Sequence, residues 1–338
     1  PLRSLSDLDH APGMNDRLSN GTGLIRLLAP GGLPRPVTTM GPDGCRRFVE
    51  FFLATIRNPN TRAAYLQATA AFVRWCEDRG VRDLRDTQPL HIAAHIEQLT
   101  ASHAMPTVKL RLAAIRTLFD WLVTGQILPV NPAASVRGPR HVVTRGTTPV
   151  LTADETRRLL DSIPPDTVSG LRDRALVAVM VFSFARISAV VGMNIGDYFP
   201  EGKRWQLRLR EKGGRQHIVP CHHTAEAYLD RYLEAAGLLG AGDRPIFRSL
   251  DRSGALSDRR MTRNDALRMI RRRVRAAGLQ RTVCCHTFRA TGITTYLQNG
   301  GTIENAQAIA AHASPRTTKL YDRRGDAISL DEIERIAI

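Results

Sequence analysis

The stretch His286-Thr287-Phe288-Arg289 sets an imidazole and a guanidinium three residues apart, on one face of any helix that carries them. His312 lies 23 residues beyond Arg289, and Tyr321 nine further on, in His312-Ala313-Ser314-Pro315-Arg316-Thr317-Thr318-Lys319-Leu320-Tyr321. Ser314 suits an N-cap and Pro315 the first helical position, so a short helix is expected to start there and carry Tyr321 near its far end. Upstream, Phe184-Ala185-Arg186-Ile187-Ser188 puts an arginine at the close of an apolar helix read over 172–184. Singly, each patch has a bland reading: an ion-pair anchor, a surface pair, a packing tyrosine. Their order along one chain is the informative feature.

Around these patches the second half of the chain reads as helices interrupted by one hairpin. Residues 205–210 and 216–220 alternate with period two, and Glu211-Lys212-Gly213-Gly214 between them supplies the turn. Thr152 is a good N-cap, with Asp154 and Glu155 favourable in the first turn that follows. Further helices are expected over 225–236, 264–277, 286–299, 302–310 and 315–321, with a short one after Ser329.

Residues 44–125 read as helical throughout, over 47–56, 61–79, 89–102 and 107–124. Ala64, Tyr65, Ala68, Phe72, Trp75 and Cys76 recur at helical spacing, as do Leu110, Ala114, Leu118, Trp121 and Leu122. Asn58-Pro59-Asn60-Thr61 supplies a break and a candidate N-cap. Pro129, Pro132, Gly138, Pro139, Gly146 and Pro149 then mark a linker and a domain boundary.

With 338 residues, 43% of them hydrophobic, the chain can build two cores, which excludes disorder throughout. The longest apolar stretch, 175–184, is too short to span a membrane. No secretory signal is visible, and five scattered cysteines fit a reducing, cytoplasmic location. Basic residues number 48 against 32 acidic, a net +16, so a polyanion is the expected partner and nucleic acid the first candidate. The excess sits in residues 44–137 (+5) and 138–338 (+11), while residues 1–43 are neutral and read as a mobile extension. Nine arginines fall within 259–281, a face suited to phosphates. Cys221-His222-His223 and Cys284-Cys285-His286 offer metal-ligand types, but adjacent ligands fit one tetrahedral site poorly and no Cys-x-x-Cys occurs. Reduced, partly buried thiols are expected instead.

Together, Arg186, Lys212, His286 with Arg289, His312 and Tyr321 resemble the tyrosine recombinase (phage integrase) family, whose pattern runs Arg, Lys, His-x-x-Arg, His or Trp, then Tyr. The resemblance covers about residues 44–338. It implies a mainly α fold with a small β-hairpin: a helical core-binding domain over 44–130, a linker over 131–149 and a mixed α/β catalytic domain over 150–326. Residues 327–338, with Ile328, Leu330, Ile333, Ile336 and Ile338, would form a helix for contact between protomers. By the same resemblance Tyr321 attacks a scissile phosphodiester and becomes 3′-phosphotyrosyl-linked, and Arg186 and Arg289 clamp the non-bridging oxygens. Lys212 protonates the leaving 5′-oxygen, and His286 and His312 assist proton transfer and bond the phosphate. The implied partners are double-stranded DNA recombination sites and further copies of the chain, a tetramer on two sites, with an accessory directionality protein left open. No cofactor and no metal is called for, and the implied setting is the bacterial nucleoid.

The chemistry suits these residue types. Charge gathers on the equatorial oxygens of a phosphodiester transition state, and planar guanidinium donors match them in bidentate fashion. A 5′-alkoxide is a poor leaving group and needs an acid. A phosphotyrosine conserves the bond energy, so strands rejoin without ATP. Of only four lysines, Lys212 alone falls in the hairpin turn. Three departures from the family pattern stand out. The acid usual three residues after the first Arg is Ala189, which leaves Arg186 either less rigidly held or held by another acid such as Asp197. The usual Thr-Gly before that Arg is Ser183-Phe184, and the usual Leu-Gly before the second His is Ala310-Ala311. The competing readings are a type IB topoisomerase-like or hairpin-forming relative and a catalytically silent DNA-binding accessory protein.

Overall fold

In the computed structural model, residues 32–141, 143, 146–211, 214–240, 242–279 and 282–323 are described. Lys212, the tail over 327–338 and most of the neutral extension therefore lie outside the described residues. The chain divides into two compact units, Pro1–Val142 and Val143–Ile338.

Helical structure in the first unit begins ahead of residue 44, with α1 (Arg35–Thr38) and α2 (Gly41–Glu50), and Val37 and Met40 are buried in its core. A π-helical turn over Phe51–Thr55 extends α2 and turns Phe51 and Phe52 inward. α3 (Pro59–Asp78) starts where the sequence breaks: the Asn58 side chain accepts from the backbone N–H of Asn60 and Thr61, and Pro59 takes the first position. α4 (Pro89–Ser102) and α5 (Met105–Thr124) complete the bundle. Phe72, Trp75, Cys76, Ala114, Leu118 and Leu122 are buried as their spacing predicts, whereas Leu110 is exposed and Leu112 and Ile115 take inside positions. His95 is packed edge-on against Phe72 and Trp75 with neither ring nitrogen bonded among the described residues, and burial holds its pKa down to about 4. It is a neutral core histidine.

The second unit opens with α6 (Ala153–Asp161), capped reciprocally by Thr152 and Glu155 as a capping box. α7 (Val168–Phe182) is its buried centre, followed by the short α8 (Ile187–Val191). β1 (Tyr198–Glu201), β2 (Arg204–Arg210) and β3 (Gln216–Pro220) form an antiparallel sheet in that order, with Arg210 opposite Gln216 at the turn. α9 (His223–Ala235) packs on α7. A second hairpin, β4 (Arg248–Leu250) with β5 (Leu256–Arg260), precedes α10 (Arg263–Ala276), α11 (Cys285–Gln298), α12 (Ile303–Ile309) and α13 (Pro315–Lys319). Among the described residues no helix is long and apolar enough to cross a membrane. The five cysteines are unpaired, and burial raises the Cys221 thiol to about 12 and that of Cys285 to about 11.

α11 lies unusually close to α7. A Cβ on Gly292 would stand 2.0 Å from the Val181 carbonyl oxygen, with the Phe184 ring next. Gly292→Ala must therefore push the two helices apart, and is expected to lower the unfolding free energy by about 1–3 kcal/mol in urea titration. An unchanged midpoint would show that the contact yields without strain.

Candidate active site

α7 stops at its C-cap Ser183, before Arg186, because Phe184 adopts the left-handed region at φ 54°. Arg186 accordingly does not close that helix; it is the N-cap residue of α8. The Phe184 ring is buried beside Ile293 and meets Tyr296 edge-on at 5.9 Å, and this packing offsets a conformation that costs a non-glycine residue about 1–3 kcal/mol. Ala311, at φ 47°, is in the same region. Both left-handed residues stand where the family pattern has glycine.

α11 carries His286 and Arg289 on one face, as their spacing predicts. Arg289 is fully buried, and its guanidinium joins the two left-handed turns: Nη1 donates to the Phe184 carbonyl, and Nη2 donates to the Ala310 carbonyl at 2.6 Å. One arginine thus fixes the backbone two residues before Arg186 and two residues before His312. Its Nε–H has no partner among the described residues. Thr287, Thr291 and Thr294 form a buried polar stripe on the same helix, and Thr294 Oγ1 donates to the Tyr321 carbonyl at 3.0 Å.

α13 starts on Ser314, whose side chain accepts from the Arg316 N–H, and it presents Tyr321 just past its end. Tyr321 is buried, with its hydroxyl 2.7 Å from His286 Nε2. The His312 ring lies nearly parallel to the tyrosine ring, 5.8 Å between centroids, and its Nδ1 is 2.9 Å from Thr318 Oγ1. Burial, with Arg289 and Arg186 adding to it, pushes the pKa of His312 down to about 3 and lowers that of His286. Both shifts favour the neutral imidazole near pH 7, and in the tautomer protonated at Nδ1, His286 Nε2 accepts from the tyrosine hydroxyl. Burial, and Arg186 beside it, lower Arg289 to about 10, with Glu211 and Tyr321 opposing. A buried guanidinium and a partly exposed one beside a tyrosine hydroxyl make an arrangement that an anion completes.

The structure brings together Arg186, His286, Arg289, His312 and Tyr321. Lys212, which falls between β2 and β3 in the sequence, lies outside the described residues. Asp197 is not the acid that holds Arg186. It caps its own 3₁₀ turn through the Asn194 N–H at 2.9 Å and pairs with Arg210 at 3.1 Å, because it sits beside the outward face of β2. Arg186 pairs instead with Glu211, Nη1 to Oε2 at 2.5 Å. The sequence carried a signal for this residue: Leu207, Leu209 and Glu211 share one parity, so the alternation that buries the two leucines aims Glu211 inward as well.

Residues 149–327 match the Phage integrase family, and residues 46–126 match its N-terminal SAM-like domain. The chain belongs to the phage integrase family and is an enzyme of the tyrosine recombinase class. Tyrosine recombinase XerC of Chlamydia muridarum is 30% identical over 226 residues, covering 67% of this chain and 69% of that protein. Tyrosine recombinase XerD of Chlorobaculum tepidum is 27% identical over 269 residues, 78% of this chain and 85% of the relative. Among solved structures, a lambda integrase dimer bound to a COC′ core site superposes with a TM-score of 0.66 at 19% identity, covering 85% of this chain and 80% of that one. XerH recombinase in a post-cleavage complex with palindromic difH substrate gives 0.65 at 16% identity, with 86% and 93% covered.

Proposed function

We propose that this recombinase cuts and rejoins duplex DNA at specific sites through a 3′-phosphotyrosyl intermediate. The observation that carries the reading is the 2.7 Å contact between Tyr321 Oη and His286 Nε2 beside two arginines. In the first step the Tyr321 oxygen forms a bond to the scissile phosphorus, and the bond from phosphorus to the 5′-oxygen breaks. The tyrosine proton passes to neutral His286, and Lys212 supplies a proton to the leaving 5′-oxygen. Arg186 and Arg289 hold the non-bridging oxygens, and His312 supports the tyrosine ring and the phosphate. Attack by a 5′-hydroxyl on the phosphotyrosine then reverses the step on the same or another strand. The arginines supply the charge and the phosphotyrosine conserves the bond energy, so neither metal nor ATP is required. The partners are duplex DNA and other copies of the chain, two protomers per site and four per pair of sites, acting at the nucleoid in the cytoplasm. Two observations support the DNA partner: the arginine-rich α10 face and the DNA present in the structures of similar recombinases.

A test of this reading uses duplexes with randomised arms and a nicked strand, incubated with the full chain in EDTA without ATP. The nick lets the released fragment diffuse away, so cleaving molecules stay attached in SDS, and sequencing the captured duplexes defines the site. Recovery of one shared sequence is the expected result; no SDS-stable complex would contradict it. On the captured duplex, Lys212→Ala is expected to slow cleavage by about 10²–10⁴-fold. With sulfur in the 5′-bridging position, whose thiolate leaves without an acid, the same variant should run near the wild-type rate. Equal slowing on both substrates would remove Lys212 from the acid role.

A further inference from the structure

We infer that Glu211 is the positioning residue for Arg186, taking the part that an acid at position 189 would otherwise play. This rests on the proposed reaction. Glu211 follows the last residue of β2, and the strand's alternation drives its carboxylate beneath the sheet, where the side chain is 3% exposed. Its backbone is fixed on both sides of the turn. The Glu211 N–H donates to the Arg215 carbonyl at 2.7 Å, and the Glu211 carbonyl accepts from Gly214 N–H at 3.2 Å. Oε2 receives Arg186 Nη1 at 2.5 Å, while Oε1 is buried and accepts nothing among the described residues. Position 189 holds a buried alanine on α8 and offers Arg186 no counter-charge.

A buried carboxylate with one oxygen unbonded contributes little to stability, since desolvation of the charge is offset only through a full set of partners. Its placement makes sense as a constraint on the arginine. The Arg186 side chain is one-third exposed and starts from the residue that caps a five-residue helix, so without a partner its guanidinium would be free to reorient. The pair also ties that guanidinium to the hairpin turn whose next residue is Lys212. Glu211 further opposes the mutual repulsion of Arg186 and Arg289, supporting the charge of the more deeply buried one. Two arginines meant for one phosphate thereby stay close in the absence of DNA.

The test compares wild type, Glu211→Gln, Arg186→Lys and the double variant as full chains, on the nicked duplex recovered by covalent capture. Single-turnover cleavage, binding of the uncleaved duplex and the urea midpoint are read for each. Glu211→Gln keeps the side-chain volume, so its midpoint should be unchanged or higher and its binding within threefold of wild type. Its cleavage should slow by about tenfold or more, as expected when a transition-state donor is misplaced. In the Arg186→Lys background the same substitution should change cleavage by less than twofold, because the residue it acts through has gone. Three results would overturn the inference: wild-type cleavage in Glu211→Gln, the same factor lost in both backgrounds, or a rate loss matched by a fall in midpoint. Absence of cleavage by wild type would instead remove the proposed function, and the inference with it.

Discussion

Tyr321→Phe is expected to bind the captured duplex within about threefold of wild type while forming no covalent complex, a loss on the order of 10⁴–10⁶-fold in cleavage. The substitution removes one oxygen. The ring stays in place, because its stacking beside His312 and its place in the buried cluster with Phe184, Ile293 and Leu297 do not depend on the hydroxyl. The Tyr321 carbonyl still accepts from Thr294, and its N–H still donates to the Thr318 carbonyl at 2.9 Å. His286 Nε2 loses its partner at 2.7 Å, which costs about 1 kcal/mol of stability. Gel shift and SDS capture on the same samples separate binding from chemistry. A Tyr321→Phe protein that still forms the complex would place the nucleophile elsewhere.

Arg289→Lys is expected to fail in both stability and catalysis. The planar fork spans the Phe184 and Ala310 carbonyls at once, and an ammonium on a flexible stem cannot reach both in the same geometry. Each carbonyl left buried without a donor costs about 1–3 kcal/mol, and each belongs to a turn built on a left-handed non-glycine residue that needs outside support. Unfolding free energy should fall by about 2–4 kcal/mol in urea, and cleavage by about 10²–10³-fold as one donor to the developing phosphate charge disappears. Arg289→Lys with a native midpoint and slowed cleavage would mean that the arginine serves the phosphate alone. A native rate would remove it from the site.

What could be read from the chain follows from how local each feature is. α4 begins on Pro89 and ends on Ser102 as its periodicity predicts, and the β2–β3 hairpin falls on its alternating stretches, because both are set by neighbours along the sequence. Helical spacing and an N-cap at Ser314 place His286, Arg289 and Tyr321 on their elements, but each has a bland reading alone. It was their order along the chain and its resemblance to a known family that marked them as one site. Less local features did not show. β1, with Pro200 in it, and β5, Leu-Ser-Asp-Arg-Arg, carry no alternating apolar pattern, and each is defined by the strand it pairs with. Phe184 and Ala311 do not themselves favour a positive φ; the hint was that the family pattern has glycine at both places, and here Arg289 and packing hold that backbone instead of the residue's own preference. The choice of Glu211 over Asp197 as the partner of Arg186 depends on which face of β2 each acid meets. That is a matter of tertiary position, although the parity shared with Leu207 and Leu209 already pointed inward.

Tryptic digestion of the wild-type covalent complex, followed by sequencing of the DNA-bearing peptide, decides what joins protein to DNA. The predicted peptide is Leu320-Tyr321-Asp322-Arg323, released by cleavage after Lys319 and Arg323. It should carry the phosphate on its tyrosine through the 3′ end of the cut strand, and the released fragment should have a free 5′-hydroxyl that a kinase can label. DNA on any other peptide, or attachment through a 5′-phosphate, would contradict the assignment of Tyr321 as the nucleophile.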